Sequence, residues 1–220
     1  QANPVKKACD HTRFSHCSIP VLRLPFSNGG WQAVRKISCK NGGLKMKRWL
    51  SFFAAILCYA ILHEGMHAVF ASIFGEYEAF HVRPYGLEVT FNTATADREG
   101  FQWALISGMS NLTTILVGYL LLAFAGRIAQ LNNLWLKSIL YYITFLFLVL
   151  DALNLSIGPF FYGGDVHGIA RGLELNHYII QFVFFIVLLF NRELIVQKLM
   201  PVFNIQVDNP VFKPWLRLPI

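Results

Sequence analysis

The chain has 220 residues, of which 55% are hydrophobic and only 14% charged, and its mean hydropathy is +0.47. A soluble domain carries about a quarter charged residues, so this balance excludes an ordinary soluble globular protein and indicates an integral membrane protein. The formal net charge of +7 comes without an arginine-rich strip interleaved with aromatics, which argues against nucleic acid as a partner and for anionic headgroups at a bilayer surface.

Residues 1–45 hold three of the four cysteines (Cys9, Cys17 and Cys39), show no clear period, and precede "MKRWLSFFAAIL", which has the form of a membrane-protein start at Met46. The expectation is that residues 1–45 form a disordered or non-native N-terminal extension. Cys9, His11, His16 and Cys17 do not have the spacing of an ordinary structural zinc site.

Crossing the hydrocarbon core as helix takes roughly 20 apolar residues. Four segments are long enough: Trp49–Phe74, Phe101–Ala125, Leu134–Ile157 and about Leu173–Phe190. Lys40, Lys45, Lys47 and Arg48 precede the first, and Arg192 and Lys198 follow the last. The positive-inside rule therefore predicts an even number of spans with both termini in the cytoplasm. Between the first two spans, Glu76–Phe91 is too polar to cross, and its partial alternation around Pro84 and Gly86 predicts a hairpin at the membrane edge. The expected fold is an all-α integral membrane protein of about four transmembrane helices with a small β-hairpin after the first. Residues 46–192 form the core, and residues 193–220 a cytoplasmic or membrane-surface tail.

The first span carries "HEGMH", two histidines and a glutamate in an otherwise oily segment. Ionisable groups at membrane depth cost roughly 2.5–3.5 kcal/mol each on insertion scales and mark function by default. On a helix, His63 and His67 lie on one face and offer two imidazole nitrogens to one ion, with Glu64 about 100° round. This pattern binds Zn2+ through the histidines and uses the glutamate as general base toward an attacking water. A hydrolytic zinc site needs a third protein ligand. The candidates are Asp151, Asp165 and His167, with His81 more remote.

Four stretches together resemble the site-2 proteases, a family of intramembrane zinc metalloproteases. They are HEGMH itself; the Gly- and Pro-punctuated "FGEYEAFHVRPYGLEVTF" after it; "SGMSNLTTILVG", with Gly108 and Asn111; and "NLSIGPFFYGGD", similar to the family's Asn-x-x-Pro…Asp-Gly motif. In the last, Pro159 is displaced and Val166 follows the aspartate. The resemblance implies a compact, divergent zinc-dependent endopeptidase acting on membrane-protein substrates in or near their transmembrane segments, in the plasma membrane of a prokaryote. It also implies Glu64 as base and Asn154 as an amide donor to the developing oxyanion. His63, His67 and Asp165 are the expected ligands, with Gly163 and Gly164 letting the backbone turn before Asp165. Asp151 is the alternative ligand, or orients a zinc-bound histidine from behind. A non-proteolytic membrane binder or scaffold that retains the fold is the competing reading.

Overall fold

The computed structural model describes residues 21–25, 31–35, 42–84, 86–162 and 164–218. The Cys9–Cys17 cluster and Gly163 lie outside the described residues. The chain divides into two compact units, Gln1–Lys47 and Arg48–Ile220. In the first, β1 (Val21–Pro25) and β2 (Trp31–Arg35) pair as an antiparallel hairpin, Val21 opposite Arg35 and Pro25 opposite Trp31.

The second unit begins inside α1 (Gly42–Ile73). It continues through β3 (Tyr77–Arg83), β4 (Gly86–Phe91), α2 (Phe101–Ala123), α3 (Ala125–Ala129), α4 (Leu134–Ser156), α5 (Asp165–Gly172), α6 (His177–Leu194) and α7 (Met200–Val202). Four stretches are long and apolar enough to cross a membrane: Met46–Ile73, Phe101–Ala123, Leu134–Ser156 and His177–Val202. The protein is therefore a mostly helical, four-span membrane protein with a two-stranded antiparallel hairpin after the first span.

The fourth span begins later than the apolar pattern around Leu173 predicts. Asp165–Gly172 is a helix of its own, and Asn176 caps α6 by accepting a hydrogen bond from the Tyr178 N–H at 2.9 Å. The helical path then runs past residue 192, through a π-turn at Ile195–Leu199, to Val202. The tail folds back on it: Trp215 stacks 3.8 Å from the Arg192 guanidinium, Gln197 donates to Leu216 O at 2.5 Å, and Leu218 N–H donates to Gln197 at 3.0 Å. The prolines of the tail suggest an extended strand of chain, whereas these polar contacts fix it against the end of α6.

Helix α1 ends where Gly75 takes a left-handed conformation (φ +74°) and the Glu76 N–H returns to Ala71 O at 2.8 Å, a Schellman-type stop. The chain then enters the hairpin, in register from Tyr77 opposite Phe91 to Arg83 opposite Gly86, with an irregularity between Tyr77 and Ala79. Ala71, Trp103 and Ile106 form a buried cluster with Phe70 and Phe91, which fastens the hairpin to α1 and α2.

Helix α4 packs against α2 and α6, and α5 packs against α2. Small residues set these approaches. A Cβ at Gly118 would lie 3.1 Å from Phe147 Cβ, and one at Gly172 only 2.3 Å from the Ala104 nitrogen. By contrast, Gly126 has nothing within 4 Å of its Cβ position and Gly108 meets Ile169 at an ordinary 3.5 Å. The tight seams are Gly118 against α4 and Gly168 and Gly172 against α2.

Candidate metal centre

His63 and His67 project from one face of α1, four residues apart, and both are buried. Their Nε2 atoms lie 3.2 Å from each other. Asp165, the first residue of α5, closes the group: Oδ2 is 3.4 Å from His63 Nε2 and Oδ1 is 3.3 Å from His67 Nε2. Gly164, with φ +80°, turns the chain into α5 in a conformation that favours glycine, so the carboxylate meets the imidazoles.

The contacts behind the ring define the tautomers. His67 Nδ1 faces the Ile106 carbonyl oxygen at 2.8 Å; a carbonyl only accepts, so Nδ1 carries the proton and Nε2 presents a lone pair. His63 Nδ1 lies 3.1 Å from Asp151 Oδ1. That approach is not aligned as a full hydrogen bond, yet the carboxylate is the nearest charge and favours N–H on that side. Asp151 has no exposed surface. It accepts from the Tyr59 hydroxyl at 2.5 Å and from the Thr114 hydroxyl. Helices α1, α2 and α4 thus meet on one buried carboxylate.

Asp165 is held in turn by the Asn111 amide at 2.9 Å and the Asn154 amide at 3.3 Å. Asn154 accepts from the Tyr162 hydroxyl at 2.9 Å. Burial, with the charges of Asp165 and Asp151, pushes the Tyr162 phenol up, so it remains a donor and fixes which end of the Asn154 amide faces Asp165.

Two imidazole lone pairs and a carboxylate converge, and such a set of acceptors suits a cation. Zn–N and Zn–O bonds of about 2.0–2.2 Å in a tetrahedron place ligand atoms roughly 3.3–3.6 Å apart. The two imidazole nitrogens, 3.2 Å apart, are close to one such edge, and each faces a different Asp165 oxygen, Oδ2 at 3.4 Å from His63 and Oδ1 at 3.3 Å from His67. His63, His67 and Asp165 form a group of three able to hold a metal ion. A carboxylate and a backbone carbonyl stand behind the two histidines, as is general behind metal-bound imidazoles. The Ser110 hydroxyl also comes within 3.1 Å of His67 Nε2.

Of the other candidate ligands, Asp151 touches the far nitrogen of His63. His167 lies on α5 facing His177, with ring centroids 5.3 Å apart, and His81 sits on β3 beside Thr90 at 3.3 Å. Neither histidine joins the group. Tyr59, Asn111, Thr114 and Tyr162 were not singled out as site residues from sequence. Three of them left a signal: Tyr59 precedes His63 by one turn, and Asn111 and Thr114 join Ser107 and Ser110 in a polar stripe at helical spacing through an apolar span.

A cavity of about 420 Å3 opens on the group, lined among others by Glu64, Asn154 and His167. Leu87, Val89 and Phe91 of β4 line it too, and β4 pairs only with β3 in its sheet. Glu64 lies against the Val89 backbone N–H. Arg98, packed 4.7 Å from the Phe91 ring and 4.6 Å from the Trp103 ring, and Arg171, which donates to Thr95 O, also line the cavity. Burial and the like charge of Arg171 pull the Arg98 guanidinium down from its usual range. Among the described residues neither arginine has a carboxylate at ion-pair distance.

No protein-family model matches this chain, and neither a curated protein nor a solved structure matches it. Its function therefore rests on the site.

Proposed function

We propose that this protein is a zinc-dependent intramembrane endopeptidase of the site-2 protease type, cleaving membrane-protein substrates in or near their transmembrane segments. The observation that carries the reading is the convergence of His63 Nε2, His67 Nε2 and the Asp165 carboxylate, beside Glu64 and on a cavity walled by a strand. The spans and flanking charges support a membrane protein with both termini cytoplasmic, and the plasma membrane of a prokaryote is the setting that the family resemblance implies.

Zinc held by these three residues would act as a Lewis acid on a peptide carbonyl and make water nucleophilic near neutral pH. Glu64, one residue from His63 and about 100° round the helix, takes the proton of the attacking water and passes it to the leaving amine. The second amide hydrogen of Asn154 is available to the oxyanion that develops on the scissile carbonyl. A helical substrate hides its own peptide bonds, so it must unwind locally, and the open edge of β4 can hold it extended by main-chain hydrogen bonds. Arg98 and Arg171 favour a segment with an acidic side chain near the cleaved bond.

The test is Glu64→Gln in purified protein against a membrane-protein substrate, with bound zinc measured on the same sample. The expected result is full zinc content and cleavage reduced by about 100-fold or more. Unchanged cleavage by this variant would remove the general-base assignment, and no cleavage by the zinc-loaded wild-type protein would remove the proteolytic reading.

A further inference from the structure

A second cavity, of about 520 Å3, is lined by Arg48 on α1, Lys137 and Tyr141 on α4, and Asn204 and Gln206 beyond α7. Fifteen residues of α1 separate Arg48 from His63, about 22 Å of helix, so this cavity is remote from the metal centre. Arg48 and Lys137 both stand within the first turn of their spans, Met46–Ile73 and Leu134–Ser156, where a helix crossing a bilayer meets the headgroup region. No acidic residue lines the cavity, and among the described residues neither cation has a carboxylate at ion-pair distance.

Beside it lies an apolar groove of about 180 Å3, lined by Phe52, Phe145, Met200 and Phe212; Tyr141, Tyr142 and Ile205 belong to both. The order along the helices is informative. Lys137, Tyr141 and Phe145 succeed one another at four-residue spacing on one face of α4, as Arg48 and Phe52 do on α1. Both faces pass from cation to apolar ring as they enter the membrane, and the Phe52 and Tyr142 rings meet edge to face at 5.5 Å. A phosphate ester suits the polar end and a hydrocarbon chain suits the apolar one.

We propose that this end of the protein binds one anionic phospholipid, its phosphate between Arg48 and Lys137 and an acyl chain in the groove beside Phe52 and Phe145. A bilayer supplies such a ligand at high local concentration. The site is independent of the proteolytic reading.

The test is native mass spectrometry of the delipidated full chain, titrated with dioleoylphosphatidylglycerol, dioleoylphosphatidylcholine and glycerol 3-phosphate. One phosphatidylglycerol is expected to be retained in clear preference to phosphatidylcholine. Arg48→Gln with Lys137→Gln lowers that preference by about 25-fold, from about fivefold per cation, and Arg48→Lys with Lys137→Arg preserves it. Equal retention of the two lipids by the wild-type protein overturns the proposal whether or not the glutamine variant folds. Glycerol 3-phosphate displacing phosphatidylglycerol at comparable concentration also overturns it, because the ligand is then a soluble phosphate ester without use of the groove.

Discussion

Asp151 and Asp165 are both aspartates near two histidines, yet they meet different nitrogens. Asp165 stands on the side where the Nε2 atoms converge, and Asp151 stands behind His63, tied to Tyr59 and Thr114. Their substitutions should therefore differ in kind. Asp165→Ala removes a proposed ligand and is expected to abolish stoichiometric zinc binding. Asp151→Asn keeps the shape and removes the charge that orients His63, and should weaken zinc affinity by about 10–100-fold. Competition with a zinc-sensitive chelating dye measures both; equal loss in the two variants would mean that Asp151 is itself a ligand. His63, Glu64 and His67 are legible in the sequence because their relation is set within one turn of helix. The choice between Asp151 and Asp165 is not, because it depends on how α5 docks. Asn111 was visible as a polar residue in an oily span, but its partner Asp165 is 54 residues away.

The docking of α5 on α2 positions Asp165, and two glycines make it possible. A Cβ at Gly168 would lie 2.0 Å from Ser107 Oγ, and one at Gly172 would strike the Ala104 backbone at 2.3 Å. Gly172→Ala is expected to displace α5, to cost roughly 1–3 kcal/mol of stability by overpacking, and to lower zinc occupancy although no ligand is changed. Gly108→Ala, on the same seam but with 3.5 Å of room, should be close to neutral. Thermal unfolding of the two variants with zinc assayed in parallel separates them; equal destabilisation would show that the seam is not set by Gly172. The hydropathy pattern located the four spans and the Pro84–Gly86 hairpin. It did not mark α5, whose eight residues are too few for a span and carry one apolar face, Val166, Ile169 and Ala170, which packs against Leu155 and Ile180. Alternation of apolar and polar residues reports burial without saying on which neighbour.

The proposed metal centre joins α1 to α5, which lie far apart in the chain, so zinc bound at the junction should stabilise the whole bundle. With free zinc at 100 times its dissociation constant the linkage amounts to about 2.7 kcal/mol. Removing zinc with a chelator is expected to lower the melting temperature of the wild-type protein and to leave that of His63→Ala unchanged. Equal shifts in both would indicate an effect of the chelator unrelated to this site. The even number of spans and the basic residues at Arg48 and Lys198 predict that single cysteines introduced before α1 and after α7, in a background with Cys9, Cys17, Cys39 and Cys58 all replaced by alanine, react with membrane-impermeant thiol reagents only when the cytoplasmic face is opened.

The most direct measurement is the metal content of detergent-purified wild-type protein by inductively coupled plasma mass spectrometry, beside Asp165→Ala, Asp151→Ala and His63→Ala. One zinc per wild-type chain, absent in His63→Ala and Asp165→Ala and retained at saturating zinc in Asp151→Ala, is the predicted result. A wild-type protein that binds no zinc, under conditions in which a known zinc protein is fully loaded, would contradict the metal centre and favour a membrane scaffold without proteolytic chemistry.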